Sequence, residues 1–382
     1  MKKIIAAAAL LAAYKFATAI KAEAWFTATH EDITSKAIAL LEKEGKAKQV
    51  QFFKPYRQEI MAGCTEPDTD GDIDKGEGMH YYSISTPKCK ELPQTAGYYR
   101  NRSGKFSKSA RTMMEENYTS ALCLYKSGRP EEAMHVLARA AHFIEDMCCT
   151  VHVSNVEYID KPTNLHNAYE KNINNTFSKY TADRFDKRLL KSYEGDTFEN
   201  ASNKLIKAAA RFLPKIAELD PLAFAEAAGT TLPMAQQNVM ALMLRFYDDC
   251  QAERDNYITD GKKYTFKNEK CGLVMTVTDK GVILDKPDKQ KEQKLTAVIQ
   301  HHGAFGFKAE DTGYLNEKCK GFDYLKRDAV PALFRLAALG KKRFRIMAGG
   351  TRFEKAVGIT KSGLITLIDF DPADKGQIWV LS

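Results

Sequence analysis

The chain has 382 residues, enough for two domains with cores of their own. Its formal net charge of +8 falls to +5 without residues 1–24, which carry Lys2, Lys3, Lys15 and Lys21 against Glu23 alone. So mild a basic balance helps at an anionic surface but gives no support to a nucleic-acid binder, because no basic run interleaved with aromatics accompanies it.

In chain order, Lys2 and Lys3 precede an apolar run from Ile4 to Ala13, and Ala22-Glu23-Ala24 forms an A-x-A pattern. This reads as a signal peptide over residues 1–24, cut before Trp25, so a secreted protein is expected. The run is too short to span a bilayer, and Lys15 interrupts it. All eight cysteines follow: Cys64, Cys89, Cys123, Cys148, Cys149, Cys250, Cys271 and Cys319. An even count in a secreted chain permits disulfides without fixing their pairing; Cys271 and Cys319 could pair with each other. Cys148 and Cys149 sit between two candidate ligands and could bind metal, but no C-x-x-C spacing supports that, so they read as disulfide partners or buried thiols. Asn101, Asn117, Asn174 and Asn200 each open an N-x-S/T triplet, which matters only in a cell that glycosylates.

Residues 25–256 read as an all-α domain. Helical spacing runs from Thr34 to Glu44 and stops at Gly45. A second helix is expected over Ser107–Ser127. A third begins at Pro130, with Glu131 and Glu132 in its first turn, and runs to Met147. Asn164 can cap a helix over Leu165–Tyr180. Two more are expected over Phe198–Leu219, with a kink or break at Pro214, and over Pro233–Glu253. The Gly- and Asp-rich stretch from Gly63 to Gly78 reads as a surface loop on this scaffold.

Residues 260–382 read as all-β. Short β-type runs alternate with turns, and three stretches of about forty residues look alike. They open at Tyr264-Thr-Phe-Lys, Phe305-Gly-Phe-Lys and Phe344-Arg-Ile-Met. The pattern resembles a ricin-type or fascin-like β-trefoil, with a Gln-x-Trp at Gln377–Trp379 whose residues would be mainly core. A PLAT-type β-sandwich is the rival, with Asp369, Asp371 and Asp374 as calcium ligands; the threefold recurrence favours the trefoil.

Nine positions carry metal-binding chemistry: Trp25, His30, Asp68, His80, His142, Asp146, His152, His166 and Glu170. His142/Asp146 and His166/Glu170 stand four apart on expected helices, which puts each pair on one face, one turn apart. Imidazole with carboxylate suits zinc. Singly, each residue has an ordinary reading as a satisfied polar side chain or a solvated turn; the order and spacing of the set are what is specific.

That order resembles the bacterial zinc-dependent phospholipase C family, which includes the clostridial alpha-toxins. W-x4-H (Trp25, His30), G-x4-D (Gly63, Asp68), H-Y-Y from His80, H-F-I-E-D-x5-H (His142, Asp146, His152) and H-x3-E (His166, Glu170) carry the resemblance over residues 25–256. It implies about three zinc ions. Asp68, His80, His142 and a bridging Asp146 would hold one; His152, His166 and Glu170 the second; the free α-amine and carbonyl of Trp25, His30 and the same Asp146 the third. Asp68 would double as the base orienting the attacking water. The implied activity is hydrolysis of the glycerol-side phosphodiester of phospholipids, giving diacylglycerol and a phosphorylated headgroup. Single-strand-specific nucleases share the scaffold; the short W-x4-H and Asn164-Leu165-His166 lean toward them, but they usually end H-x3-D. Choline-preferring members carry aromatics where this chain has Thr69 and Glu77, which leaves the headgroup open. Glu145 is expected to be solvated or to sit behind the ligands, His135 in the core or behind them, and His301 and His302 away from metal. A non-catalytic, glycan-binding surface protein is the further alternative. The expected partners are a phospholipid membrane and a glycan on the β domain, with nucleic acid disfavoured and the chain taken as a monomer.

Overall fold

The computed structural model describes residues 27–69, 79–83, 94–95, 97–100, 103–154, 156, 163–195, 197–252, 257–278, 281–288, 291–300, 303–309, 313–318, 321–325, 332–349 and 354–382. The helical part comprises α1 (Thr27–Glu44), α2 (Ala47–Phe53), α3 (Arg57–Gly63), α4 (Glu66–Thr69), α5 (Ala110–Lys126), α6 (Pro130–Asp146), α7 (Thr150–Val153), α8 (Leu165–Asn174), α9 (Glu199–Ala210), α10 (Leu213–Ile216) and α11 (Pro221–Gln251). A small antiparallel sheet, β1 (Gln94–Thr95), β2 (Tyr98–Arg100) and β3 (Phe106–Ser107), interrupts it, against the all-helical expectation.

Local chemistry explains where these helices begin and end. Ser109 caps α5 reciprocally: its Oγ accepts from Thr112 N, and Thr112 Oγ1 accepts from Ser109 N at 2.9 Å. Pro130 opens α6, where its missing N–H costs nothing. Helix α8 stops at Asn174, six residues before the expected end, in a stretch of asparagines that favour turns over helix. The helix expected over Phe198–Leu219 breaks after Ala210 and restarts as α10, with Pro214 in its first turn.

The helix expected from Pro233 instead starts at Pro221, where the Asp220 side chain accepts from Leu222 N at 2.9 Å. It passes through Pro233, held by a buried face that includes Phe224, Ala227, Ala228, Leu232 and Ala235. Packing of this face outweighs the lost backbone bond. Helices α5 and α6 lie side by side; α3 packs on α6, and α1 on α11.

From Lys263 onward the chain is all-β: β4 (Lys263–Tyr264), β5 (Phe266–Asn268), β6 (Val274–Thr278), β7 (Gly281–Asp285), β8 (Leu295–Ile299), β9 (Phe305–Ala309), β10 (Gly313–Lys318), β11 (Gly321–Leu325), β12 (Phe334–Ala338), β13 (Arg343–Ala348), β14 (Lys355–Ile359), β15 (Ile365–Asp369) and β16 (Trp379–Leu381). Antiparallel pairings run β4–β8–β9–β12–β13–β16–β5, and β5 follows β4 after Thr265, so the path closes into a ring. The hairpins β6–β7, β10–β11 and β14–β15 extend from it and touch one another. Trp379 is fully buried and donates to Val357 O at 2.8 Å. Asp371 and Asp374 accept from the backbone of Ala373 and Gly376, as turn formers do.

One apolar core runs from the helices into the ring. At the junction Ser120 Oγ donates to Gly303 O at 2.9 Å, Asp260 N to Ser127 Oγ at 2.8 Å, and Arg129 Nη1 to Ile299 O at 2.8 Å. Gly303 has φ +70°, and a Cβ there would stand 2.5 Å from that of Ser120, so both conformation and close approach ask for glycine.

Candidate metal centre

The last turn of α6 supplies His142 and Asp146, the first turn of α1 His30, α4 Asp68, and the turn after the loop His80. His142 Nε2 is 3.5 Å from Asp68 Oδ1, 3.4 Å from Asp146 Oδ2 and 3.3 Å from His80 Nδ1. His80 Nδ1 lies 2.9 Å from Asp146 Oδ2. The His30 ring stacks on His142 at 4.0 Å between centroids, with its Nε2 3.6 Å from Asp68 Oδ2 and 4.0 Å from Asp146 Oδ1. Helices α7 and α8 build a second lobe. There His152 Nδ1 is 3.1 Å from Asp146 Oδ1 and its Nε2 3.1 Å from Glu170 Oε1, while His166 Nε2 is 2.9 Å from the same Glu170 oxygen. Asp146 thus faces both lobes.

Three imidazoles are oriented from behind. His142 Nδ1 donates to Cys64 O at 2.9 Å and His166 Nδ1 to Val156 O at 2.6 Å. Each leaves Nε2 directed into the centre. His30 Nδ1 meets Glu145 Oε2 at 2.5 Å, and Thr34 Oγ1 donates to Glu145 Oε1 at 2.7 Å. Glu145 is therefore fully buried rather than solvated: the end of α6 is covered on every side, so a charge there must find a partner. Burial pushes the Glu145 carboxyl well above and the His30 imidazole well below their usual values. A cation at His30 Nε2 would favour the carboxylate with Nδ1–H.

The donor set fits cations. Among the described residues, His30 Nε2, Asp146 Oδ1 and both oxygens of Asp68 are buried without a hydrogen-bond partner, an arrangement that is costly unless charge compensates it. Burial lifts Asp68 to about 6 against the pull of His142 and His80. The carboxylates outweigh burial at two imidazoles: Asp68 and Asp146 hold His142 at about 9, and Asp146 and Glu170 hold His152 at about 10. Donors converge within 4.8 Å in three groups: His30/His142/Asp146, Asp68/His80/His142, and Cys149/His152/Glu170. His80 is the most open of these imidazoles, its side chain 14% exposed. Beside it, the Tyr81 ring lies 5.0 Å from that of His152.

The structure therefore brings together eight of the nine positions; Trp25 lies outside the described residues, as do Glu77, His301 and His302. Sequence reading finds the support behind Asp68 only in part: His135 is expected in the core or behind the ligands, whereas Glu66 and Arg139 are not singled out. Glu66 Oε2 bonds to His135 Nε2 at 2.8 Å and to Arg139 Nη1, tying α4 to α6. The signal was an Arg and a His facing inward on an otherwise apolar helix. Cys148 and Cys149 are buried and not in disulfides, as are Cys64, Cys123 and Cys250; Cys271 is exposed, and Cys319 lies outside the described residues. Asn117 is buried, so its triplet offers no accessible glycosylation site.

The family model described as zinc dependent phospholipase C matches residues 29–219, half of the chain. The chain belongs to the zinc-dependent phospholipase C family. This phospholipase is similar in fold to the alpha-toxin of Clostridium absonum, with a TM-score of 0.53 and 15% identity over 89% of this chain and 97% of the toxin. The Clostridium perfringens alpha-toxin from an avian strain gives 0.52 and 16% over 93% and 96%. A comparison with curated protein sequences gives no match. The phospholipase is a zinc-dependent phosphodiesterase, and its clustered histidines and carboxylates are compatible with several zinc ions. Among the described residues no helix is long and apolar enough to cross a membrane.

Proposed function

We propose that the mature enzyme is secreted and cleaves membrane phospholipids at a centre of about three zinc ions. Asp68, His80, His142 and Asp146 would hold one ion, His152, His166 and Glu170 another, and His30, Asp146 and the freed terminus of Trp25 the third. The observation that carries this reading is the convergence of buried, partnerless donor atoms of His30, Asp68 and Asp146 on one centre. A peptide nitrogen cannot ligate as an amine does, because its lone pair is delocalised into the carbonyl. Trp25 therefore serves only after cleavage from Ala24.

Zinc bound there supplies Lewis acidity and brings the pKa of a bound water toward about 7. Asp68 orients the attacking water and accepts its proton. Asp146, facing both lobes, fixes the spacing of the groups around it. His80 and Tyr81 stand at the more open side, where a phosphate enters. Attack of the water oxygen forms a new bond to phosphorus and breaks that to the glycerol oxygen, which takes up a proton from solvent as diacylglycerol leaves and the phosphorylated headgroup is released. We further propose a β-trefoil for residues 260–382, supported by the closed strand ring and its three touching hairpins. A glycan ligand for that domain is part of the same reading.

The test is a matched assay of the zinc-loaded enzyme on phospholipid and on single-stranded DNA and RNA. Phosphorylated headgroup is expected to exceed mononucleotide; the reverse result establishes a nuclease. With Thr69 and Glu77 at the headgroup positions, choline and ethanolamine lipids are expected to be turned over at similar rates.

A further inference from the structure

The second lobe contains one more donor than the family pattern requires. Cys149 stands at the N-cap of α7, its backbone N bonded to Asp146 O at 2.9 Å. Its Sγ lies within 4.8 Å of the donor atoms of His152 and Glu170, and all three residues are buried. The Glu170 oxygen draws in His152 Nε2 and His166 Nε2 at 3.1 and 2.9 Å. Donors on a tetrahedral zinc, at bonds of about 2.0–2.3 Å, stand about 3–4 Å apart. The thiol stands at the edge of such a shell, beside two of its donors, those of His152 and Glu170. The neighbouring Cys148 and the nearby Cys64 belong to none of the three donor groups.

We propose that Cys149 is a thiolate ligand of the ion held by His152, His166 and Glu170; this rests on the assignment of the second lobe made above. As the Zn–S bond forms the S–H bond breaks, and the proton leaves to solvent. Two imidazoles, a carboxylate and a thiolate complete a four-donor shell. Closed shells of this kind hold an ion firmly, whereas a catalytic ion keeps an open position. Substrate is met in the first lobe, beside His80. A soft sulfur donor also makes the second lobe favour thiophilic metals over those that prefer oxygen.

The experiment replaces zinc by cobalt(II) in the full-length mature protein and records its absorption together with metal content. A thiolate-to-cobalt charge-transfer band in the near ultraviolet is expected in the wild type. It should vanish in Cys149→Ser and persist in Cys148→Ser. Full cobalt loading without the band overturns the Cys149 inference and leaves the second-lobe assignment standing. Failure of the second lobe to take up any metal overturns both. A band that survives in Cys149→Ser, or is lost in Cys148→Ser alone, also overturns it. If Cys149→Ser does not fold, X-ray absorption at the zinc edge of the wild type decides: a sulfur shell at about 2.3 Å together with a retained cobalt band in Cys148→Ser supports the inference, and its absence overturns it.

Discussion

At the scale of single residues, the centre depends on groups that never meet a substrate. Glu145 fixes the tautomer of His30 through a 2.5 Å bond and is itself held by Thr34. Losing such a partner typically weakens metal affinity about 10–100-fold. Glu145→Ala is therefore expected to release one zinc at chelator concentrations the wild type withstands, with its helical content unchanged. A competition titration read by metal analysis checks this. Glu66 makes a different prediction. Burial alone would raise its carboxyl, but His135 and Arg139 hold it down at about 2, below its usual 4.5. A carboxyl depressed in the folded state adds stability above its unfolded pKa and loses it as pH falls through the folded one. The stability advantage of the wild type over Glu66→Gln should thus be full above pH 4.5 and fade toward pH 2. Denaturant unfolding of the zinc-free protein across that range measures it.

At the scale of elements, α6 is the spine of the site, and its neighbours must come close. A Cβ on Gly63 would sit 2.1 Å from the backbone oxygen of His135, so α3 meets α6 backbone to backbone. Gly63→Ala is expected to cost about 1–3 kcal/mol of stability, seen as a lower denaturant midpoint. It should also weaken zinc binding, because Cys64 O, the next carbonyl, orients His142. The sequence made much of this scaffold legible. Pro130 with two glutamates announced α6, and the i,i+4 pairs lay on helices. The recurrent Phe-led runs marked the ring strands β9 and β13. Other features were hidden for physical reasons. The start of α11 was assigned to Pro233 because proline usually breaks a helix, and only tertiary packing lets this one continue. Glu145 reads as either solvated or behind the ligands because its own helix gives no sign of what covers it; the cover comes from α1, over a hundred residues away, and puts it behind His30. For Cys149 the sequence allows a ligand but ranks it below a disulfide partner or buried thiol for want of C-x-x-C spacing; its neighbours His152 and Glu170 stand on other turns and elements, beyond that local rule.

At the scale of the whole molecule, the helical and β parts share one core, and α5 packs directly on β12. The catalytic scaffold is therefore braced against the C-terminal part rather than joined to it by a free linker. All of this serves one claim: the buried donors of residues 30–170, with the processed terminus, form a multinuclear zinc centre that cleaves phosphodiesters. Zinc content per chain, measured on purified mature protein by native mass spectrometry, tests it most directly. The account predicts about three ions, whereas one ion or none would contradict it.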